Sequence, residues 1–153
     1  MDNEKTVDVL NALIEINNDR IEGYQTASKE TEENDLKNMF SRLIETSEKC
    51  REELTEEVER LGGTPIEGTK ITGKFFRTWM DVKAALTGND RKAILNSCET
   101  GEDKAVDTYD KALENDSEHL GIEQRNMIEE QRELIKADHD EIKELRDQLV
   151  EHD

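Results

Sequence analysis

The stretch that decides the fold is residues 7–28, which reads VDVLNALIEINNDRIEGYQTAS. Mostly apolar side chains recur in it every three or four residues, which is the spacing of one face of an α-helix. The stripe runs through Val7, Leu10, Ile14, Asn17, Ile21, Tyr24 and Ser28. This pattern predicts an amphipathic helix from about Thr6 to Glu32.

A second stripe of the same spacing follows a polar turn at residues 31–35 and stops at Gly62 and Gly63. Glycine accepts the left-handed backbone conformation that closes many helices, so the pair predicts the end of helix two. The short turn predicts that helices one and two are antiparallel neighbours. The second stripe runs through Leu36, Phe40, Leu43, Ser47, Cys50, Leu54, Val58 and Leu61.

Residues 62–89 differ in composition, since they hold the single proline and three of the six aromatic residues of the chain. A bare loop of this length is uncommon in a compact domain. We therefore predict a crossover that carries a short amphipathic helix, formed by Phe75, Phe76, Trp79, Met80, Val82 and Leu86. Two roles stay open for its aromatic and basic side chains: a docking surface for a partner, or a cap on the core.

Two more stripes follow, one after Asn89 and Asp90 and one after residues 115–117. The third includes Cys98, Glu102, Ala105, Tyr109 and Ala112, and the fourth includes Ile128, Gln131, Ile135, Asp138, Ile142, Leu145 and Leu149. The whole chain, residues 1–153, is thus predicted to be one all-α domain. The expected architecture is a ferritin-like antiparallel four-helix bundle, with the long crossover and its short helix between helices two and three.

The charge balance narrows the class of partner. The chain has 21 Lys and Arg residues against 39 Asp and Glu residues, which gives a formal net charge of −18. Such a chain repels nucleic acid and anionic membrane surfaces, so neither is expected as a partner. No apolar run is long enough for a membrane span, and the first residues lack the pattern of a signal peptide, so a cytoplasmic location is expected.

Polar residues that interrupt the stripes are the candidate site residues, because a polar group at a core position must be bonded or act as a ligand. A ferritin-type dimetal centre needs a Glu on each of two helices and a Glu-x-x-His on each of the other two. The chain contains no Glu-x-x-His, because His119, His139 and His152 follow Asp116, Lys136 and Leu149 at that spacing. A complete dimetal centre is therefore not expected.

A weaker site for a single divalent metal, such as iron, stays open. The residues that we expect to bind it are Glu22, Glu48, Glu99, Glu102 and His139. The competing interpretation is that these carboxylates belong to the solvated flanks of the helices and that His139 lies at the edge of the core. Cys50 and Cys98 have no CxxC partner and are expected to be reduced core thiols.

Four segments resemble a bacterial ferritin-like four-helix-bundle family that is catalogued mainly as a domain of unknown function. They are LIEINNDRIEGY at 13–24, EVERLGG at 57–63, WMDVKAALTGND at 79–90 and ETGED at 99–103. The likeness covers residues 7–145. It implies a fold related to rubrerythrin and ferritin, and it implies no established activity.

Three functions are consistent with these observations. The first is a non-enzymatic binding or scaffold protein with a degenerate metal site, without a resident cofactor, that forms a homodimer or binds a protein or small molecule. The alternative is a metal-binding, iron or diiron-type redox or storage protein. A third possibility is an apolar ligand held between the helices near Tyr24 and Tyr109. No phosphate-binding glycine loop, GxSxG or His-Glu-x-x-His motif supports another enzyme class.

Overall fold

The computed structural model describes residues 3–67, 84 and 91–151, and in these ranges it contains four long α-helices and no strand. The helices are α1 (Asn3–Glu30), α2 (Asn34–Arg60), α3 (Arg91–Asn115) and α4 (Ile122–Glu151), with a 3₁₀ turn at Ser117–His119 before α4. The all-α class predicted from the sequence is confirmed.

The helix bounds agree with the apolar stripes to within a few residues. Helix α1 ends at Glu30, two residues before the predicted Glu32. Thr31 explains the earlier end, because its hydroxyl accepts a hydrogen bond of 3.3 Å from the backbone N–H of Glu33 and so closes a local turn.

Neighbouring helices run antiparallel, as the register of their contacts shows. Between α1 and α2, Arg20 contacts Ser47 while Arg51 donates to Asn18, so the residue numbers change in opposite directions. Between α3 and α4, the pairs Asp103 with His139 and Asp110 with Arg132 show the same opposite order.

Helices α2 and α3, in contrast, start at the same end of the molecule. Arg91, the first residue of α3, forms ion pairs with Glu33 at 3.2 Å and Asp35 at 2.6 Å, both at the start of α2. Helix α2 is 27 residues long, or about 40 Å at 1.5 Å per residue. The chain between Leu61 and Arg91 therefore connects opposite ends of the helices, as a crossover does.

The predicted crossover helix lies outside the described residues. This applies to its apolar positions and to the basic side chains around them, which are Phe75, Phe76, Trp79, Met80, Val82, Leu86, Lys70, Lys74, Arg77 and Lys83.

The described core consists of two apolar clusters, each of which draws on all four helices. One, the Leu10 cluster, includes Leu10, Leu13, Ile14, Leu54, Val58, Ala105, Ala112, Ile128 and Ile135. The other, the Phe40 cluster, includes Tyr24, Leu36, Phe40, Leu43, Ile94, Leu95, Cys98 and Ile142. The residues between them along α1, α2 and α3 include the buried polar side chains Asn17, Arg20, Ser47 and Glu102, whereas the buried Gln131 on α4 lies among the Leu10 cluster residues Ile128 and Ile135.

The helix surfaces carry most of the acidic residues, and most of these side chains are exposed or half-buried. Within the described ranges, no helix has the length and hydropathy that crossing a lipid bilayer requires.

Gly62 ends α2 in the way that the sequence predicts. Its φ angle is +82°, and its N–H donates to Glu59 O at 3.0 Å while Gly63 N–H donates to Val58 O at 2.9 Å. These are the two hydrogen bonds of the Schellman motif, which satisfy carbonyls that the helix leaves open.

Replacing Gly62 by Ala is expected to lower the free energy of unfolding by about 1 kcal/mol, because a Cβ atom disfavours this left-handed conformation. An added Cβ would meet no other atom within 4 Å, so the backbone strain is tested alone. Urea unfolding monitored by circular dichroism measures the change. The exposed neighbour Thr64 provides the control, since Thr64→Ala is expected to change stability by less than about 0.5 kcal/mol. Equal effects of the two substitutions would contradict the role of Gly62.

Candidate functional site

The guanidinium of Arg20 lies at the middle of the bundle and reaches all three other helices. Its Nη1 donates to Ser47 Oγ on α2 at 2.5 Å. Its Nη2 donates to Glu102 Oε1 on α3 at 2.7 Å and to Asp138 Oδ2 on α4 at 3.2 Å. The side chains of Arg20 and Glu102 are 1% and 0% exposed, so the pair is removed from solvent. We call these four residues the Arg20 layer.

Tyr24 completes the surroundings of this ion pair. Its hydroxyl donates to the same Oε1 atom of Glu102 at 2.6 Å, one turn along α1 from Arg20. The ring centroid lies 5.8 Å from Arg20 Cζ, which is within the range of a cation–π contact, and the ring stacks on Phe40 at 5.5 Å. Glu102 Oε1 therefore accepts two hydrogen bonds, one of them from a cation.

The ionisation of the layer follows from burial and from these contacts. Burial, the largest single effect, lowers the pKa of Arg20, but Glu102, Tyr24 and Asp138 together outweigh it and the net pKa is raised. Burial raises the pKa of Asp138 to about 6, with Glu102 adding to the increase and Arg20 opposing it. Near neutral pH, the layer thus holds the Arg20 cation beside Asp138, a weaker acid than an ordinary aspartate.

A second polar layer lies next to the first, on the side of the Leu10 cluster. Asn17 donates to the hydroxyl of Tyr109 at 2.9 Å, and that hydroxyl donates to Gln131 Oε1 at 2.7 Å. Gln131 then donates to the backbone carbonyl of Cys50 at 3.3 Å and to Glu53 at 3.1 Å. This Tyr109 layer also spans all four helices.

The residues at the bundle centre do not fit a carboxylate-bridged dimetal centre. Such a centre needs several carboxylates and two His side chains pointing inward. The Arg20 layer instead contains a guanidinium and a hydroxyl, and Arg20 already pairs with both of the carboxylates, Glu102 and Asp138. A fixed positive charge at this point repels divalent cations.

A different group of potential metal ligands lies between α3 and α4. The ligand atoms of Glu99, Asp103 and His139 all lie within 4.8 Å of one another. His139 Nε2 is 2.6 Å from Asp103 Oδ1 and 3.7 Å from Glu99 Oε1. Glu99 and Asp103 are four residues apart on α3, which places them on one side of that helix. We call these three residues the His139 triad.

The structure separates the five sequence-predicted site residues into three groups. It brings Glu99 and His139 together in the triad. It places Glu102 in the Arg20 layer, where the carboxylate pairs with Arg20. Glu22 and Glu48 are exposed, on α1 and α2, and belong to neither group.

Four residues of these groups were not among the five predicted ligands. Ser47 and Asp138 were recognised only as polar members of the stripes, and Arg20 and Asp103 were not singled out. Arg20 lies three residues after Asn17 and four before Tyr24, so its position on the stripe was a signal that the sequence contained. Asp103 has no such signal, because its side chain is 62% exposed and only the orientation of α3 against α4 brings it to His139.

The buried cysteines and tyrosines have structural surroundings. Cys50 and Cys98 are both buried, as expected of core thiols, and they form no disulfide; burial raises the pKa of Cys50 to about 11. Tyr24 and Tyr109, near which an apolar ligand was considered, are buried. The hydroxyl of Tyr24 donates to Glu102 of the Arg20 layer, and that of Tyr109 belongs to the Tyr109 layer.

Asp19 is a buried acid that directly precedes Arg20 in the sequence. It takes no part in the hydrogen bonds of the Arg20 layer. Its side chain is buried on α1, and its Oδ1 atom makes no hydrogen bond with the part of the chain that the structure describes. Burial raises the pKa of Asp19 to about 7, and the nearby carboxylates of Glu15 and Glu22 add to this increase.

Comparison with known proteins gives a family but no activity. Residues 5–115 match the model of a family described as a domain of unknown function (DUF2383). The match covers α1 to α3, and it therefore includes Arg20, Ser47 and Glu102. No curated protein matches the chain in a sequence search.

Replacing Arg20 by Met is expected to reduce the free energy of unfolding by about 3–5 kcal/mol, because Glu102 is left as a buried carboxylate without a counter-charge. Urea unfolding measures the loss. Adding Glu102→Gln and Asp138→Asn to this variant is expected to recover much of it, because the uncompensated charges are then absent.

Arg42 supplies the matched control, since it pairs with Glu141 at the surface with 55% of its side chain exposed. Arg42→Met is expected to cost less than about 1 kcal/mol. An equal cost for Arg20→Met and Arg42→Met would contradict the importance of the buried pair.

The pKa of Asp19 gives a pH dependence with a defined sign. The folded protein holds this proton up to about pH 7, while an unfolded Asp releases it near pH 4, so Asp19 lowers stability as the pH rises between these values. The stabilisation given by Asp19→Asn is therefore expected to be greater at pH 8 than at pH 5, by about 2 kcal/mol. Urea unfolding at the two pH values measures it. Asp8→Asn, an exposed position on the same helix, is the control, and the same pH dependence in both variants would refute this assignment.

Proposed function

The chain belongs to the DUF2383 family, and we propose that it is a non-enzymatic, ferritin-like helical bundle that binds or scaffolds a partner in the cytoplasm. The observation that carries this proposal is the guanidinium of Arg20 at the bundle centre, bonded to Ser47, Glu102 and Asp138. Through these contacts the polar side chains of the interior bond to one another and hold the four helices together, instead of binding a metal.

The connection of the helices supports the ferritin-like part of the proposal. Helices α2 and α3 start at the same end, as the contacts of Arg91 with Glu33 and Asp35 indicate. Two antiparallel pairs joined by one long crossover is the topology of ferritin-like bundles, whereas bundles with short loops throughout alternate in direction.

The surface supports a binding role more than a catalytic one. The net charge of −18 favours a partner that carries positive charge and opposes nucleic acid or an anionic membrane. The large apolar side chains of Ile122 and Leu134 are exposed on α4. We include a homodimer in the proposal, for which light scattering should give the mass of two chains.

The unbonded thiols of Cys50 and Cys98 fit a reducing compartment such as the cytoplasm.

The alternative, an iron or diiron-type redox or storage protein, has less support from the interior. Two divalent ions would need bridging carboxylates without a competing cation. Glu102 Oε1 already accepts hydrogen bonds from Arg20 and Tyr24. The guanidinium would have to leave a fully buried position before the first ion entered.

An iron oxidation assay separates these two functions. Tag-free protein is mixed with two equivalents of Fe(II) without oxygen and then exposed to air, while the absorbance of ferric products is recorded. The His139→Gln variant is used beside the wild type, so that iron at the triad does not contribute. We expect both proteins to oxidise Fe(II) at the rate of buffer alone. Rapid oxidation with two irons retained per chain in His139→Gln would overturn the proposal and favour the alternative.

A further inference from the structure

The His139 triad lies between α3 and α4 and is distinct from the Arg20 layer at the centre of the bundle. We propose that Glu99, Asp103 and His139 form a site for a single divalent transition-metal ion, such as Zn²⁺. The proposal does not depend on the proposed function, because the triad shares none of its three residues with the Arg20 layer.

The donor atoms of the triad indicate which class of metal ion it would bind. One imidazole nitrogen with two carboxylates suits Zn²⁺ and other divalent first-row metals, whereas Mg²⁺ and Ca²⁺ prefer oxygen ligands alone. The imidazole is already in place, since His139 is 9% exposed and projects from α4 toward α3. Three protein ligands leave further positions for water, as in open zinc sites.

The distances are close to those that one ion requires. Zinc lies about 2.0–2.2 Å from nitrogen and oxygen ligands, so ligand atoms around it are roughly 3–3.5 Å apart. Nε2 of His139 is 3.7 Å from Glu99 Oε1 and 2.6 Å from Asp103 Oδ1. Asp103 has to withdraw by less than about 1 Å, and its 62% exposed side chain has room to do so.

The groups around the triad orient it and balance its charge. His139 Nδ1 is 3.0 Å from Asp140 Oδ1, the type of carboxylate contact that fixes the ring of many metal-binding histidines. Lys136 also pairs with Asp140, at 3.0 Å. Arg146 contacts Oε2 of Glu99, the oxygen that does not face His139, so Glu99 Oε1 is left toward the metal position.

The position of Arg146 predicts the direction in which one substitution changes the metal affinity of the site. Its positive charge on Glu99 competes with a cation for the same carboxylate. Removing that charge in Arg146→Gln is therefore expected to strengthen metal binding, whereas removal of a true ligand weakens it.

Isothermal titration of the tag-free 153-residue chain with ZnCl₂ tests the site, with MnCl₂ and MgCl₂ as comparison ions. We expect one Zn²⁺ per chain, weaker binding of Mn²⁺, in line with the usual order of affinities, and the weakest binding for Mg²⁺. His139→Gln and Asp103→Asn should each weaken Zn²⁺ binding by about tenfold or more, and Arg146→Gln should tighten it several-fold. Asp103 is exposed, so Asp103→Asn keeps the test valid even if His139→Gln disturbs folding.

His119→Gln and Glu48→Gln are the matched controls, because they remove another histidine and another acidic side chain outside the triad. Both should bind Zn²⁺ as the wild type does. The proposal is overturned if the wild type shows no saturable binding of one ion. It is equally overturned if Asp103→Asn binds as the wild type does, or if His119→Gln loses the binding.

Discussion

The packing of the four helices depends on the pairing of one buried cation, the guanidinium of Arg20. An ion transferred from water into a protein interior costs several kcal/mol unless close partners offset the loss. Arg20 finds these partners on three different helices, in Ser47, Glu102 and Asp138. The charge is therefore tolerated only when all four helices meet at this level, with the Leu10 cluster on one side and the Phe40 cluster on the other.

The elements of the fold could be predicted from the sequence because they depend on local patterns. The spacing of apolar residues located all four helices, and Gly62 marked the end of α2 because few other residues adopt its backbone conformation. The end of α1 was placed two residues too late, since a hydrogen bond of the Thr31 hydroxyl closes the turn there. Such a hydrogen bond between a side chain and the backbone does not change the spacing of apolar residues, from which the helix end was predicted.

The candidate sites could be predicted only in part, because they depend on contacts between distant segments. Glu102 and Asp138 were recognisable as acids near the apolar stripes, but their partner Arg20 lies 82 and 118 residues away in sequence. Arginine is also a residue type that normally remains at the surface, so its place on the stripe carried little weight. Glu22 and Glu48 face solvent, and Asp103 joins His139, because of how the helices are rotated about their axes, which composition and spacing do not determine.

The Arg20 layer also determines how two helical hairpins align along their helix axes. Arg20 and Ser47 belong to the α1–α2 hairpin, and Glu102 and Asp138 belong to the α3–α4 hairpin. Two apolar seams can slide past each other by one helical turn, about 5.4 Å, and still bury similar areas. In this molecule, such a slip would place the guanidinium against hydrocarbon and leave both acids alone. Other alignments of the two hairpins therefore cost free energy, and this cost favours a single register between them.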